Sequence, residues 1–125
     1  MVPLHDSQPR GLDPDLAPGR FVFVSLPEVP PGADPVAMVV EPEGTSLVLP
    51  ADVADSLGLH CDFVAAMITL RVHSALDAVG LTAAVSSALA TAGIACNVVA
   101  GYHHDHLFVP HDRAQEAVAI LRGLR

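Results

Sequence analysis

The stretch "GLTAAVSSALATAGIACNVVAGYHHDHLFVPHDRAQEAVAILRGL", residues 80–124, decides how this chain of 125 residues folds. It begins with apolar residues at helical spacing from Leu81 to Leu89, which predict a helix that Gly93 ends. Two β-rich runs follow, "IACNVVAGYH" and "HLFVP", and "DRAQEAVAILRGL" then predicts a closing helix. With the apolar run "FVAAMITLRVH" (63–73) before it, the second half has the order β, α, β, β, α.

That order lacks one strand of the βαββαβ pattern of ferredoxin-like domains. The first half contains further strands: "RFVFVSL" (20–26), and a hairpin formed by "VAMVVEP" and "TSLVLP" around the turn signal "EPEG". A short helix, "ADVADSLGL" (51–59), follows and can end at Gly58. We therefore expect an α+β fold of two intertwined ferredoxin-like lobes that share strands, with an antiparallel sheet and helices on one face.

Three segments are predicted along the chain. Residues 1–19 contain four prolines among polar residues, and we expect them to form a flexible N-terminal arm. Residues 20–62 are expected to form an N-terminal lobe and residues 63–125 a C-terminal lobe. At the start of the closing helix, Asp112 and Gln115 suit a capping box.

Composition and charge restrict the function. The net charge is −8 and the chain has no Lys, so binding to nucleic acid or to an anionic membrane surface is disfavoured. The two cysteines, Cys61 and Cys96, form no CxxC motif, and no export signal is evident, which favours a cytoplasmic protein with free thiols. The sequence contains no GxGxxG or P-loop motif, so we expect no cofactor.

Three pieces of the second half resemble the ACT domain, a small-molecule-sensing module of aspartate kinases and other enzymes of amino-acid metabolism. They are "VGL" (79–81) at the first helix, "ALATAGI" (88–94) at its end, and "HLFVPHDRAQEAVAIL" (106–121) as closing strand and helix. The layout of the whole chain resembles short stand-alone ACT-like proteins. The resemblance implies a non-enzymatic regulatory module that senses an amino acid at an interface between two such units.

The resemblance also implies where a ligand binds. In ACT domains backbone N–H groups hold the ligand's polar head where the first helix begins, and such a helix end attracts a carboxylate. The implied ligand-binding residues are Ser74, Asp77, Val79, Gly80, Leu81, Thr82, Ala95, Cys96 and Asn97. Asn97 is expected to replace the polar residue that many members carry where this chain has Ala95. Ser74 or Asp77 can instead cap the helix, and an Asp77 cap would oppose an anionic ligand.

Two alternatives remain open at this point. His103, His104 and His106 surround Asp105 in a predicted turn, so a small metal-dependent or thiol enzyme could use these histidines with Cys96 or Cys61. A tight hairpin rarely directs three ligands at one ion, and the pattern favours a turn in which Asp105 bonds its own backbone. The second alternative is a structural partner subunit without a ligand. Exposed sheet edges favour a homodimer, and the sequence does not identify a regulated partner enzyme.

Overall fold

The computed structural model of the chain describes residues 11–72 and 80–124. The strands are β1 (Pro14–Leu16), β2 (Phe21–Leu26), β3 (Ala37–Glu41), β4 (Gly44–Pro50), β5 (Val64–Leu70), β6 (Asn97–Ala100) and β7 (Asp105–Pro110). The helices are α1 (Ala51–Ser56), α2 (Leu81–Thr91) and α3 (Ala114–Arg122). The predicted α+β class, the β3–β4 hairpin and the helices ended by Gly58 and Gly93 are therefore confirmed. None of the described helices has the length and apolar character needed to cross a bilayer.

One antiparallel sheet joins the two halves of the chain. The strand order is β3-β4-β2-β5-β7-β6, and β1 also pairs with β5. The first residues of β5 pair with β2, with Ala65 opposite Phe21, and its later residues pair with β1, with Ile68 opposite Leu16. On its other side β5 pairs with β7. The predicted sharing of strands is thus confirmed: β1 supplies the strand that the second half lacks, and β5 serves both lobes.

The prediction of a flexible N-terminal arm over residues 1–19 is wrong for residues 11–19, which the structure describes. Residues 14–16 form β1, and two backbone bonds flank its pairing with β5: Arg71 N–H donates to Asp13 O (3.1 Å) and Ala17 N–H donates to Met67 O (2.9 Å). Leu12 is buried in the core beneath α2 and α3. Prolines do not prevent this pairing, because an edge strand tolerates residues that donate no ladder hydrogen bond. Residues 1–10 lie outside the described part.

The helices pack on one face of the sheet, as expected. Helices α2 and α3 cover β5 and β7, and α1 covers β2 and β4. Alternation along the strands sends Val22, Leu49 and Ile68 to this face. Two apolar cores therefore lie side by side between the sheet and its helices, one under α1 and one under α2 and α3; we call the second the helical-side core. This arrangement fits two lobes that share a strand.

The predicted capping box at the closing helix is wrong. A 3-10 turn, His111–Arg113, follows β7 and moves the start of α3 beyond Asp112, so Arg113 occupies the N-cap position without a side-chain cap bond. Arg113 instead donates to Glu116 Oε1 (2.7 Å) and to Ala92 O (3.1 Å), which links the end of α2 to α3. The hydrogen bond from Arg113 holds the pKa of Glu116 below its usual value.

The face of the sheet without helices also carries an apolar cluster. Phe21, Val48, Ala65 and Phe108 form its buried part, and Ala37 and Val99 pack against them; we call these residues the open-face cluster. Phe108 is 0% exposed although no described helix covers it. Ala37 and Val99 belong to the strands at opposite ends of the sheet order, yet both line one cavity with Phe108, so the sheet curls toward this face. The open face is therefore concave.

Candidate ligand site at the start of helix α2

The start of α2 presents backbone donors without a side-chain cap. Gly80 is the N-cap residue, with φ +109°, and no side-chain cap bond forms there among the described residues. Ala84 N–H donates to Gly80 O (2.9 Å), so the N–H groups of Leu81, Thr82 and Ala83 have no intrahelical partner. The first turn contains no acidic residue. This helix end therefore retains its partial positive charge and can accept an anionic group.

Three of the predicted ligand residues, Ser74, Asp77 and Val79, lie outside the described part of the chain. The N-cap position itself belongs to Gly80, not to Ser74 or Asp77. Thr82 is exposed on the first turn, and Leu81 is half-buried against the helical-side core. The described part of the predicted loop is thus the three residues 80–82.

The second predicted group follows the other end of α2. Ala95 is exposed in the connection before β6, and Cys96 packs against the helical-side core, where burial raises the pKa of its thiol. Asn97 is the first residue of β6 and lies opposite Phe108, so strand alternation places it on the open face. Asn97 is exposed on a strand that ends the sheet order.

The two groups of predicted ligand residues, 80–82 and 95–97, do not meet within one lobe. Helix α2 has 11 residues, so its ends lie roughly 16 Å apart at about 1.5 Å per residue, with Gly80 at one end and residues 95–97 beyond the other. The register places Ala100, at the far end of β6, opposite Asp105 and near the end of the sheet where β5 stops. The start of α2, which follows β5 in the chain, therefore lies nearer to Ala100 than to Asn97.

Comparisons with known proteins place this arrangement in a family. Two ACT domain profiles match the chain, one over residues 9–66 and one over residues 63–123. A crystal structure of a protein of unknown function from Vibrio cholerae, titled a possible transport protein, is 42% identical with a TM-score of 0.86, covering 92% of this chain and 90% of that one.

The chain belongs to the ACT domain family. ACT domains are regulatory modules that bind small molecules, and this chain carries two of them. The two matched ranges overlap at residues 63–66, where β5 begins and pairs with β2.

Two further solved structures share the fold. An Agrobacterium tumefaciens protein is 23% identical with a TM-score of 0.65, covering 86% of this chain and 84% of that one. The aspartokinase alpha and beta subunits give 11% identity and a TM-score of 0.61, covering 90% of this chain and 96% of that one. No curated protein sequence matches the chain significantly.

The turn that contains His103, His104 and His106, here called the histidine turn, does not assemble a metal site with any other described residues. Gly101 N–H donates to His104 O (2.9 Å), and the rings of Tyr102 and His103 lie 5.1 Å apart between centroids. Asp105, expected within the turn, is the first residue of β7 and lies opposite Ala100. No three side chains of His, Cys, Asp or Glu converge to hold an ion in residues 11–72 and 80–124.

The two thiols also lack the setting of a nucleophile. Burial, followed by the charges of Asp55 and Asp62, raises the pKa of Cys61. Its neighbour His60 places Nε2 3.0 Å from Asp62 Oδ1. A raised pKa lowers the thiolate fraction at neutral pH, and the thiolate is the reactive form. The described geometry therefore does not favour the thiol-enzyme alternative.

One polar pair of the second domain has no local signal in the sequence. Thr69 of β5 lies opposite His106 of β7, and Thr69 Oγ1 is 2.9 Å from His106 Nδ1. The two residues are 37 positions apart, so only the strand register brings them together. The composition of the histidine turn drew attention to His106, but no local signal indicates its partner.

Proposed function

We propose that this protein is a regulatory sensor that binds a small amino acid at the start of helix α2, between two ACT units. The observation that supports the proposal is the first turn of α2, which no side chain of residues 11–72 or 80–124 caps, in a chain with two ACT domains. The division of the chain into an N-terminal unit, 20–62, and a C-terminal unit, 63–125, belongs to the same proposal.

The first turn of α2 suits the carboxylate of an amino acid. The N–H groups of Leu81, Thr82 and Ala83 point out of the helix end and carry its partial positive charge. Gly80 has no Cβ, and apart from its chain neighbours and its own helix no described residue places an atom within 4 Å of where one would be, so the described surroundings leave the backbone open. The exposed Thr82 hydroxyl can add a hydrogen bond.

A second copy of the chain can complete the site. Strand β6 ends the sheet order and pairs only with β7 among the described strands. Antiparallel pairing of β6 with the β6 of a partner subunit sets Asn97 of the partner subunit beside Ala100, at the end of the sheet where α2 begins. That Asn97 begins on the open face, but as the first residue of its strand it can turn its amide around the end of the sheet toward the ligand that the first turn of α2 holds. The homodimer is part of the proposal, as is the role of Asn97.

Binding at such an interface gives a regulatory mechanism. A ligand held by both subunits binds the paired state more tightly than the separated one, so it shifts the equilibrium between packing states. A partner enzyme that contacts one of those states would receive the signal. No catalytic step is part of this mechanism.

A thermal-shift screen of the twenty amino acids tests the proposal. A ligand at 100 times its Kd adds about 2.7 kcal/mol of stability, which raises the melting temperature measurably. We expect Thr82→Val and Asn97→Ala to weaken the response. Thr91→Val is the matched control, because Thr91 is an exposed threonine at the other end of the same helix. Sedimentation velocity with and without the responding amino acid measures the dimer.

Two results would contradict the proposal. One is a melting temperature that no amino acid changes, which would leave the ligand-free structural subunit. The other is a response that Thr82→Val and Thr91→Val reduce equally, because the ligand would then not lie at the start of α2.

A further inference from the structure

The concave open face contains a cavity of about 340 Å³ that lies on the face opposite the helices. One wall is residues 36–38, at the start of β3, and the other is Met67, Val99 and Phe108 from β5, β6 and β7. Because β3 and β6 lie at opposite ends of the sheet order, the cavity exists only through the curl of the sheet. It is separate from the start of α2, which packs on the other face.

The lining is apolar apart from one imidazole. His106 lies at the wall, and its Nδ1 is 2.9 Å from Thr69 Oγ1, a bond that orients the ring. Gly101 stands next to the other ring nitrogen: a Cβ at Gly101 would lie 3.3 Å from His106 Nε2 and 2.9 Å from His104 O. The absence of a side chain at Gly101 therefore leaves the Nε2 edge of His106 clear.

Size and charge define what the cavity can accept. Its volume lies in the range of small-molecule sites, about 300–1,000 Å³, which are typically apolar with a few placed polar groups. No Asp, Glu, Lys or Arg is among the described residues that line it, so a charged ligand would lose hydration without gaining a partner. Since an apolar cavity of about 150 Å³ holds benzene in one well-known engineered protein, this one has room for two fused rings.

We propose that the open-face cavity binds a small, uncharged, largely apolar molecule whose hydrogen-bonding group meets Nε2 of His106. The rim supports this occupant: Val36 is 41% exposed, so apolar surface faces water until a molecule covers it. This site goes beyond the proposed sensing of an amino acid, since a free amino acid carries an ammonium and a carboxylate group, and no charged side chain of the described residues lines this cavity. The two sites lie on opposite faces and can succeed or fail independently.

Methionine methyl NMR offers a direct test with 2-naphthol as the probe. The chain has three methionines, and Met67 lies opposite Phe108, so its side chain points to the open face and its methyl group reports on the cavity. Met38 lies opposite Leu47 of the core under α1, so its methyl signal is an internal reference from the other face. The hydroxyl of 2-naphthol both donates and accepts, so it suits either tautomer of His106. We expect a saturable shift of the Met67 methyl signal with 2-naphthol, and weaker binding of naphthalene, which has the same rings without the hydroxyl.

Three variants define the site. His106→Phe keeps a ring but removes Nε2, and we expect 2-naphthol to bind about 3- to 10-fold more weakly while naphthalene changes less than about 2-fold. Val36→Phe places a larger side chain at the rim, and we expect it to weaken both probes. Val40→Ala is the control: Val40 is 78% exposed, does not line the cavity and should leave both affinities unchanged. Backbone amide spectra establish that each variant is folded.

Several outcomes would overturn the proposal. The first is no saturable shift of the Met67 methyl signal up to the solubility limit of the probe in the folded parent protein. The second is an unchanged 2-naphthol affinity in both His106→Phe and Val36→Phe. A third is a change of the Met67 signal, but not of the Met38 signal, with protein concentration alone, because a second copy of the chain would then occupy the open face.

Discussion

The environment of Cys96 stabilises its neutral thiol. Its side chain packs against the helical-side core, and burial raises its pKa above the usual value. In the unfolded chain the thiol titrates near its ordinary pKa of about 8.5. The contribution of this thiol to stability is therefore complete below that pH and is lost as the pH rises toward the raised pKa of the folded state.

Replacement by alanine tests this at the scale of one residue. Cys96→Ala removes the titrating group, so we expect the free energy of unfolding of the parent protein to fall, relative to that of the variant, between pH 7 and pH 10. Urea unfolding of both proteins at several pH values measures the difference, and other titrating groups cancel in the comparison. A constant difference across this range would show that burial does not disfavour the thiolate of Cys96.

A residue's position can be predicted from the sequence when neighbouring residues determine it, and cannot when strand pairing does. Gly80 could be identified as a helix boundary because a glycine before a helical apolar pattern is a local signal, and it is the N-cap. The pairing of Thr69 with His106 could not, because it requires the register of β5 against β7. The apolar run around Asn97 correctly predicts a strand. The distance of Asn97 from the start of α2 depends instead on the direction of that helix across the sheet, which no local pattern indicates.

Helices and strands also differ in how far local sequence predicts them. Helix α2 and the β3–β4 hairpin are defined by local patterns, apolar spacing in one and a turn signal in the other, and both form. Strand β1 has three residues and begins with a proline, so it carries no signal of its own. Its formation depends on pairing with β5, more than 50 positions along the chain. The capping box failed because a 3-10 turn after β7 shifted the start of α3.

The N-terminal segment is accordingly expected to stabilise the whole sheet. Leu12 is 8% exposed and packs in the core beneath α2 and α3, so Leu12→Ala should lower the free energy of unfolding by about 2–5 kcal/mol. Leu57→Ala is the matched control, since Leu57 is 40% exposed and should lose less than about 1 kcal/mol. Urea unfolding followed by circular dichroism measures both. Equal effects of the two changes would restore the view that the segment is a loose arm.

At the scale of the whole molecule, β5 makes the two ACT domains interdependent. Its first residues complete the sheet of the N-terminal half, and its remaining length forms the centre of the C-terminal half between β1 and β7. β1, which comes from the start of the chain, completes the second domain. Neither half contains all the strands that its own sheet uses, so the unit that folds is the pair of domains.

Cooperative unfolding follows from this connection. Leu47 is buried in the N-terminal core and Leu121 in the C-terminal core, and each is at most 1% exposed. Leu47→Ala and Leu121→Ala should each cost about 2–5 kcal/mol, and each should lower one common transition because the shared sheet couples the cores. Amide signals from both domains, followed by NMR through a urea titration, should therefore have a single midpoint in each variant. If Leu47→Ala unfolded the first domain while the signals of β6, β7 and α3 stayed native, β5 would not couple the two domains.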